Sequence, residues 1–364
     1  MDGPGASGAR PLFVIGPIAL RISRFPAVLS LALLPLSAGA EGLTPLLLEF
    51  GSPRAQLWTV LEERPQGGAG FAFTLANRLA LNPDRTAWPY LSGASLSFAP
   101  VLRYDRNVNN GFKGDTILIG GLPFVVDEGS RAVGAATVGG AVTGGVSFGV
   151  AQGTTLTLSG RTEYRRAVGK EFEVVDSTAA IHLGHTAQDW SYINAGFLLN
   201  EEKRALADEN TRIASFTVGK LFGKGGNRLH DLSAGFIRAE ENGTWQSRVR
   251  LDWTGAFSGR GVFRLGLERG EAIGGALLPR TTITASYADI LSGSPTTLSA
   301  TYSEKTGGSF FGAARNDDIY RLRIDRRIGK RASVYLAYER KESTVDSFDD
   351  SGLDLGVNIT GFSF

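Results

Sequence analysis

The sequence has no cysteine, a single methionine and only three histidines in 364 residues. Lacking cysteine, the chain can have no disulfide staples, iron–sulfur clusters or thiol nucleophiles, and it suits an oxidising compartment. Neither sign of charge is in excess, the formal net charge being +2, so no nucleic-acid partner and no polybasic membrane-surface role is expected. Beyond the first forty positions no apolar run reaches the roughly 18 residues that a membrane-spanning helix needs. A helical membrane protein is thereby excluded. A membrane β-barrel is not, because its lipid face uses only every second residue. What the chain has in quantity is glycine, 48 residues, nearly twice ordinary usage.

Residues 1–40 read as an export signal. Arg21 and Arg24 precede the apolar run from Phe25 to Leu36, and Ala38-Gly39-Ala40 supplies a small-residue cleavage site before Glu41. Residues 41–89 differ from everything after them. Leu57 to Leu61 and Phe71 to Leu81 have short helix-compatible patterns, broken by Pro65-Gln-Gly-Gly68 and Asn82-Pro83. This stretch reads as a small periplasmic or plug-like segment, too short for a robust core of its own.

From Tyr90 to Phe364 the chain is a series of alternating segments. In the clearest, Trp245, Val249, Leu251, Trp253 and Phe257 point one way while Arg248, Arg250, Asp252 and Thr254 point the other. The rule recurs with Tyr320, Leu322, Ile324 and Ile328 opposed to Arg321, Arg323, Asp325 and Arg327. Turn signals such as Gln152-Gly153, Asn242-Gly243, Ser258-Gly259 and Gly329-Lys330 separate the segments. Roughly fourteen strands result, an even count, each near the length that crosses a bilayer at a tilt. A soluble sandwich would not load one face of almost every strand with charge. The expected fold is a transmembrane antiparallel β-barrel, integral to the outer membrane of a Gram-negative cell and in contact with its lipid. Tyr104, Tyr164, Tyr287, Tyr302, Tyr320 and Tyr338 are expected near strand ends on the apolar face, at headgroup level.

The last stretch, Ser351 to Phe364, supports the same reading. Leu353, Leu355, Val357 and Ile359 alternate with Asp354, Gly356, Asn358 and Thr360. Phe362 and Phe364 fall on the wrong parity unless a bulge intervenes near Gly361. A terminal aromatic is the feature by which barrel assembly machinery selects its substrates, and Phe364 is the candidate assembly signal.

The longest break between strands runs from Asp105 to Arg131. It holds Asn107-Val-Asn109-Asn110 and Gly121-Leu122-Pro123-Phe124, followed by acidic residues and Arg131-Ala132. An apolar Gly-Leu-Pro-Phe run is costly in water, so it is expected to tuck into the lumen or strengthen a wall. On these residues the segment from about 90 to 364 resembles the barrel domain of the surface lipoprotein assembly modifiers. That resemblance implies a fourteen-stranded barrel that helps a lipoprotein client reach the cell surface. The family usually carries helical tetratricopeptide repeats before the barrel, and no 34-residue repeat is visible here.

No enzyme and no cofactor is expected. His182 and His185 are an odd number of residues apart, so a strand sends them to opposite faces and they cannot share a metal. His230 and Asp231 are sequence neighbours without a nucleophile. The rows Arg248, Arg250, Asp252 and Arg321, Arg323, Asp325, Arg327 either pair across the lumen or line a path for a solute or polypeptide. The functional alternatives are lipoprotein translocation or display, a porin-like passive channel, and a structural barrel with a filled lumen.

Overall fold

The computed structural model describes residues 47, 52–63, 68–119, 122–224, 228–329, 332–359 and 362–363. The expected export signal, Gly121 and Phe364 lie outside the described residues. Two helices, α1 (Pro53–Glu63) and α2 (Gly68–Arg78), precede strand β1 (Tyr90–Asp105). A small hairpin follows, β2 (Thr116–Ile119) and β3 (Leu122–Val125). Then come β4 (Ala135–Ala151), β5 (Thr154–Ala167), β6 (Glu173–Thr186), β7 (Ser191–Lys203), β8 (Asp208–Lys224) and β9 (Arg228–Glu241). The chain continues with β10 (Thr244–Phe257), β11 (Gly261–Gly270), β12 (Leu278–Leu291), β13 (Ser294–Phe310) and β14 (Ala313–Ile328). It ends with β15 (Ala332–Ser343), β16 (Asp350–Ile359) and the short β17 (Phe362–Ser363).

β1 pairs with β4 on one side and with β16 and β17 on the other, and every other wall strand pairs with its sequence neighbours. Fourteen antiparallel strands therefore close on themselves, with β17 prolonging the last one. Closure leaves the wall no free edge, and every wall strand finds its backbone partners within the sheet. The ladder to β1 shifts by one residue between Asn358, opposite Val101, and Phe362, opposite Phe98. That is the extra residue the parity of the last strand calls for.

Side-chain alternation gives the wall two unlike faces. Outside, Leu251, Leu265, Phe236, Val218, Leu336 and Leu353 are each 43–58% exposed. Burial cannot account for so many exposed large apolar side chains in water, whereas a bilayer covers them all. A ring-to-ring chain runs along the outside of β8–β12: Phe222, His230, Trp253, Phe257, Phe263 and Tyr287 stack or meet edge to face at 4.7–6.1 Å. It forms part of an interfacial aromatic girdle. Of the six tyrosines, all fall on the outer parity; Tyr287 is buried rather than exposed. Tyr302 and Tyr320 lie opposite one another, and Glu304 and Asp318 beyond them mark where the outer face turns polar. A closed barrel that is apolar outside and polar inside is the architecture of bacterial outer membranes, and this chain is an integral outer-membrane barrel.

The two ends differ. At the end where β1 starts, the connections are turns of two to four residues; at the other, residues 106–134 form one long excursion. Short turns face the periplasm in such barrels and long loops face outward, which orients the molecule.

Candidate functional site

The inner face is a set of staves whose chemistry follows from the register. On β10, Arg248, Arg250, Asp252 and Thr254 point inward, because Leu251 and Val249 face lipid. On β14, Arg321, Arg323, Asp325 and Arg327 point inward, opposed to Leu322 and Ile324. The two expected rows therefore share the lumen, four strands apart in the sheet. They do not pair across it. Arg250 bonds Asp252 at 2.6 Å and Arg323 bonds Asp325 at 2.6 Å, each two residues along its own strand. Arg264 on β11 reaches Asp252 at 3.5 Å, and Arg248 pairs with Glu241 on β9 and Glu268 on β11. Partners at i+2 share a face and lie about 7 Å apart along the backbone, so long arginine side chains fold down the wall instead of spanning the lumen. Arg323 also lies 4.1 Å above the Tyr335 ring.

Between these rows the middle of β12 and β13 presents hydroxyls in place of charges. Thr282, Thr284 and Ser286 pair with Ser303, Thr301 and Ser299. Thr282, Thr284, Ser286 and Ser299, together with Arg250, Asp252, Arg264 and Glu268, border a cavity of about 350 Å³. Arg264, Glu268 and the hydroxyls carry the same every-second-residue signal as the two rows, but no run of charges marks them in the sequence.

The periplasmic mouth is occupied by the chain's own helices. Trp58 and Ala55 of α1 pack with Leu47 against Tyr192, Leu221, Leu229, Ala256 and Val262. These are inward-facing residues at the periplasmic ends of β7–β11. Arg54 lies 3.8 Å over the Tyr192 ring and donates to Asn194 at 3.2 Å. The Trp58 ring sits where a Cβ at position 223 would stand 2.5 Å from it, so only glycine leaves that seat open. On the far side α2 holds on through Tyr90, whose hydroxyl donates to the Asn77 carbonyl at 2.6 Å, and the Ala80 carbonyl accepts from Gly153 N–H at 2.7 Å. The helix-compatible patterns of residues 41–89 thus correspond to α1, which is longer than its pattern at both ends, and to α2, which begins and ends three residues before its pattern.

The extracellular mouth is crossed by residues 106–134. Asn107 closes the first turn, donating to the Gly111 carbonyl (2.8 Å) and accepting from Gly111 N–H (2.7 Å). Asn109 is wholly buried; it donates to the Arg131 carbonyl (2.7 Å) and accepts from Val133 N–H (2.9 Å). Asn110 has φ +58°, a left-handed conformation asparagine tolerates. The strap so folded is fastened on opposite sides. Arg204, after β7, donates to the Asn107 carbonyl at 2.7 Å and to Asp105 at 3.2 Å. Arg106 reaches Asp354 at 3.1 Å and Glu339 at 3.4 Å, and Lys113 pairs with Asp350. Phe112 lies against Phe348 and Phe310 at 6.0 and 6.4 Å.

Leu122, Pro123 and Phe124 depart from expectation. They do not extend the wall: β3 pairs only with β2, and Leu122 and Phe124 stay 65% and 48% exposed instead of being packed away. The hairpin satisfies its own facing backbone groups and is tied at its base by Val126 N–H to the Asp115 carbonyl (2.9 Å) and by Arg131 to Asp115 (3.0 Å). It has no need of a wall strand to pair with. His182 lies on the inner face and His185 on the outer, His230 outside and Asp231 inside. Among the described residues no group of three or more His, Asp or Glu side chains could hold a metal ion.

No family model matches the sequence, and no curated protein matches it. Solved structures do. The outer membrane protein OpdK from Pseudomonas aeruginosa is 9% identical, covering 76% of this chain and 100% of that one at a TM-score of 0.40. OccAB4 from Acinetobacter baumannii is 8% identical over 78% and 100%, TM-score 0.38. The β domain of the Bordetella autotransporter BrkA is 12% identical over 75% and 98%, TM-score 0.27. The fold assignment rests on this chain's own strand ladders, not on these distant likenesses.

Proposed function

We propose that the protein is a porin-like channel for small hydrophilic solutes, narrowed at both mouths by its own chain. The observation that carries this reading is the inner face: charged pairs folded flat against the wall beside an uncharged hydroxyl ladder, with the 350 Å³ cavity between them. A lumen meant only to stiffen the barrel would fill with side chains, as small barrels do. Here the arginines lie along the wall, and the space they leave is lined by groups that exchange hydrogen bonds readily with water and solutes. Purified protein in planar bilayers should give discrete conductance steps, and proteoliposomes should swell in isotonic small solutes. Absence of both would overturn the channel reading.

A second reading, display of a surface lipoprotein, is favoured by one observation. Asn107, Asn109 and Asn110, which carry the resemblance to the surface lipoprotein assembly modifiers, build the strap across the outer mouth. Its test is whether a co-expressed lipoprotein becomes accessible to protease on intact cells only when this barrel is present.

A further inference from the structure

Inward-facing residues of β10–β13 line up in cross-strand rows around Gly266. One row runs Arg250, Glu268, Thr282 and Ser303; the next runs Asp252, Gly266, Thr284 and Thr301; the third runs Thr254, Arg264, Ser286 and Ser299. In this grid Gly266 is the position without a side chain. It lies in the lining of the cavity of about 350 Å³, flanked by Arg264 and Glu268 along its own strand and by Asp252 and Thr284 across it. A Cβ at 266 would stand 3.1 Å from Asp252 Oδ1 and 3.9 Å from Thr284 Cβ, so a side chain there would fill the cup. The charges around the cup balance, Arg248, Arg250 and Arg264 standing against Glu241, Asp252 and Glu268. Neighbouring strands add paired groups. On one side Arg323 bonds Asp325, and Arg321 comes within 4.0 Å of Glu339. On the other, Asp231 accepts from the Tyr192 hydroxyl at 2.6 Å, and Arg54 covers that tyrosine's ring. Arg250 already turns its Nε and Nη2 on Asp252, at 2.6 and 2.9 Å, so an incoming carboxylate competes with one in place.

We infer that this cup is a binding subsite for a neutral polyhydroxylated solute, a saccharide, on the path through the channel. The inference rests on the channel reading and names its solute class. A sugar hydroxyl donates and accepts at once. It can give its hydrogen to Asp252 or Glu268, since a carboxylate has about four lone-pair sites, and accept from a guanidinium or from Thr284 and Ser286. Side chains directly across a sheet stand about 5 Å apart, so one sugar ring spans several of these groups together. A net ion is attracted by half of them and repelled by the other half.

The test uses full-length protein in planar bilayers, with glucose, glycine or the dimethyl ether of triethylene glycol added to the bath. The ether is close to glucose in mass and has no donor. Glucose should lower single-channel conductance along a saturating curve, whereas glycine and the ether should lower it only in proportion to their concentration. Gly266→Val fills the cup without altering a charge, and should raise the half-saturating glucose concentration about tenfold or more, a loss of about 1.4 kcal/mol. Comparison of the three solutes on the unaltered protein decides the matter even where that variant fails to fold. A linear glucose curve, a saturating curve shared by glycine or the ether, or glucose saturation unchanged in Gly266→Val overturns the inference and leaves the channel intact. Absence of conductance steps overturns the channel reading and the inference with it.

Discussion

Neighbouring residues in this wall have opposite tolerances, because one meets lipid and the next meets water. Leu251 is 54% exposed on the lipid side, whereas Thr254, three residues on, faces the lumen. Arginine at position 251 should cost roughly 2–4 kcal/mol near mid-bilayer, and at 254 far less; denaturant unfolding in liposomes measures both, and equal penalties would overturn the assignment of inside and outside faces. Parity of this kind is legible in sequence, since it needs only the alternation of Leu251 and Asp252. Which cation meets which carboxylate is not: Arg248 passes over Asp252 on its own strand for Glu241 and Glu268 on its neighbours. In the periplasmic turn after β6, Lys220 and then Ser191 donate to Asp189 and hold its carboxyl down to about 2. A carboxyl lowered on folding contributes in full above its ordinary 3.8, and the contribution is lost as pH falls through about 2. In Lys220→Met the carboxyl should titrate closer to 3.8, as read by carbon NMR of labelled protein in micelles; an unchanged titration would assign the shift to Ser191.

Two elements that are not wall strands decide how open the barrel is. Asn109 serves the strap with both ends of its amide, and Asn109→Ala leaves the Arg131 carbonyl and Val133 N–H without those partners. The loss should be about 1–3 kcal/mol, confined to the strap, and visible as faster proteolysis within residues 106–134 while the wall stays resistant. At the other mouth, Gly223→Val would meet the Arg228 carbonyl of the adjoining strand and the Trp58 ring, of which the ring is the one free to give way. The helix α1 should then be displaced and single-channel conductance should rise; Trp58→Ala should raise it too, by removing the ring itself. The break at Asp105–Arg131 was legible from its asparagines and glycines. Its fastening was not, because Arg204 and Asp354 stand 97 or more positions away from the residues they hold. The exposure of Leu122 and Phe124 is hidden from the sequence for a related reason: apolar composition favours burial, but a hairpin that pairs with itself needs no wall strand.

For the molecule as a whole, closure is the property to measure. A fourteen-stranded ring without edges should give a β-rich circular dichroism spectrum in detergent and resist dodecyl sulfate until heated, so that boiled and unboiled samples migrate differently; a helical spectrum would sink the fold. Strand number and closure follow from the even count of alternating segments, whereas which rows share the lumen as near neighbours emerges only once ring order places β10 four strands from β14. The uneven ends have one more consequence. Apart from residues 106–134, the outward connections are two to seven residues long, so the strap with its hairpin is nearly all that this barrel shows to the outside world. An antibody, a phage tail or a host defence protein approaching the cell would have little else to grip, and escape from any of them would be written in that one segment.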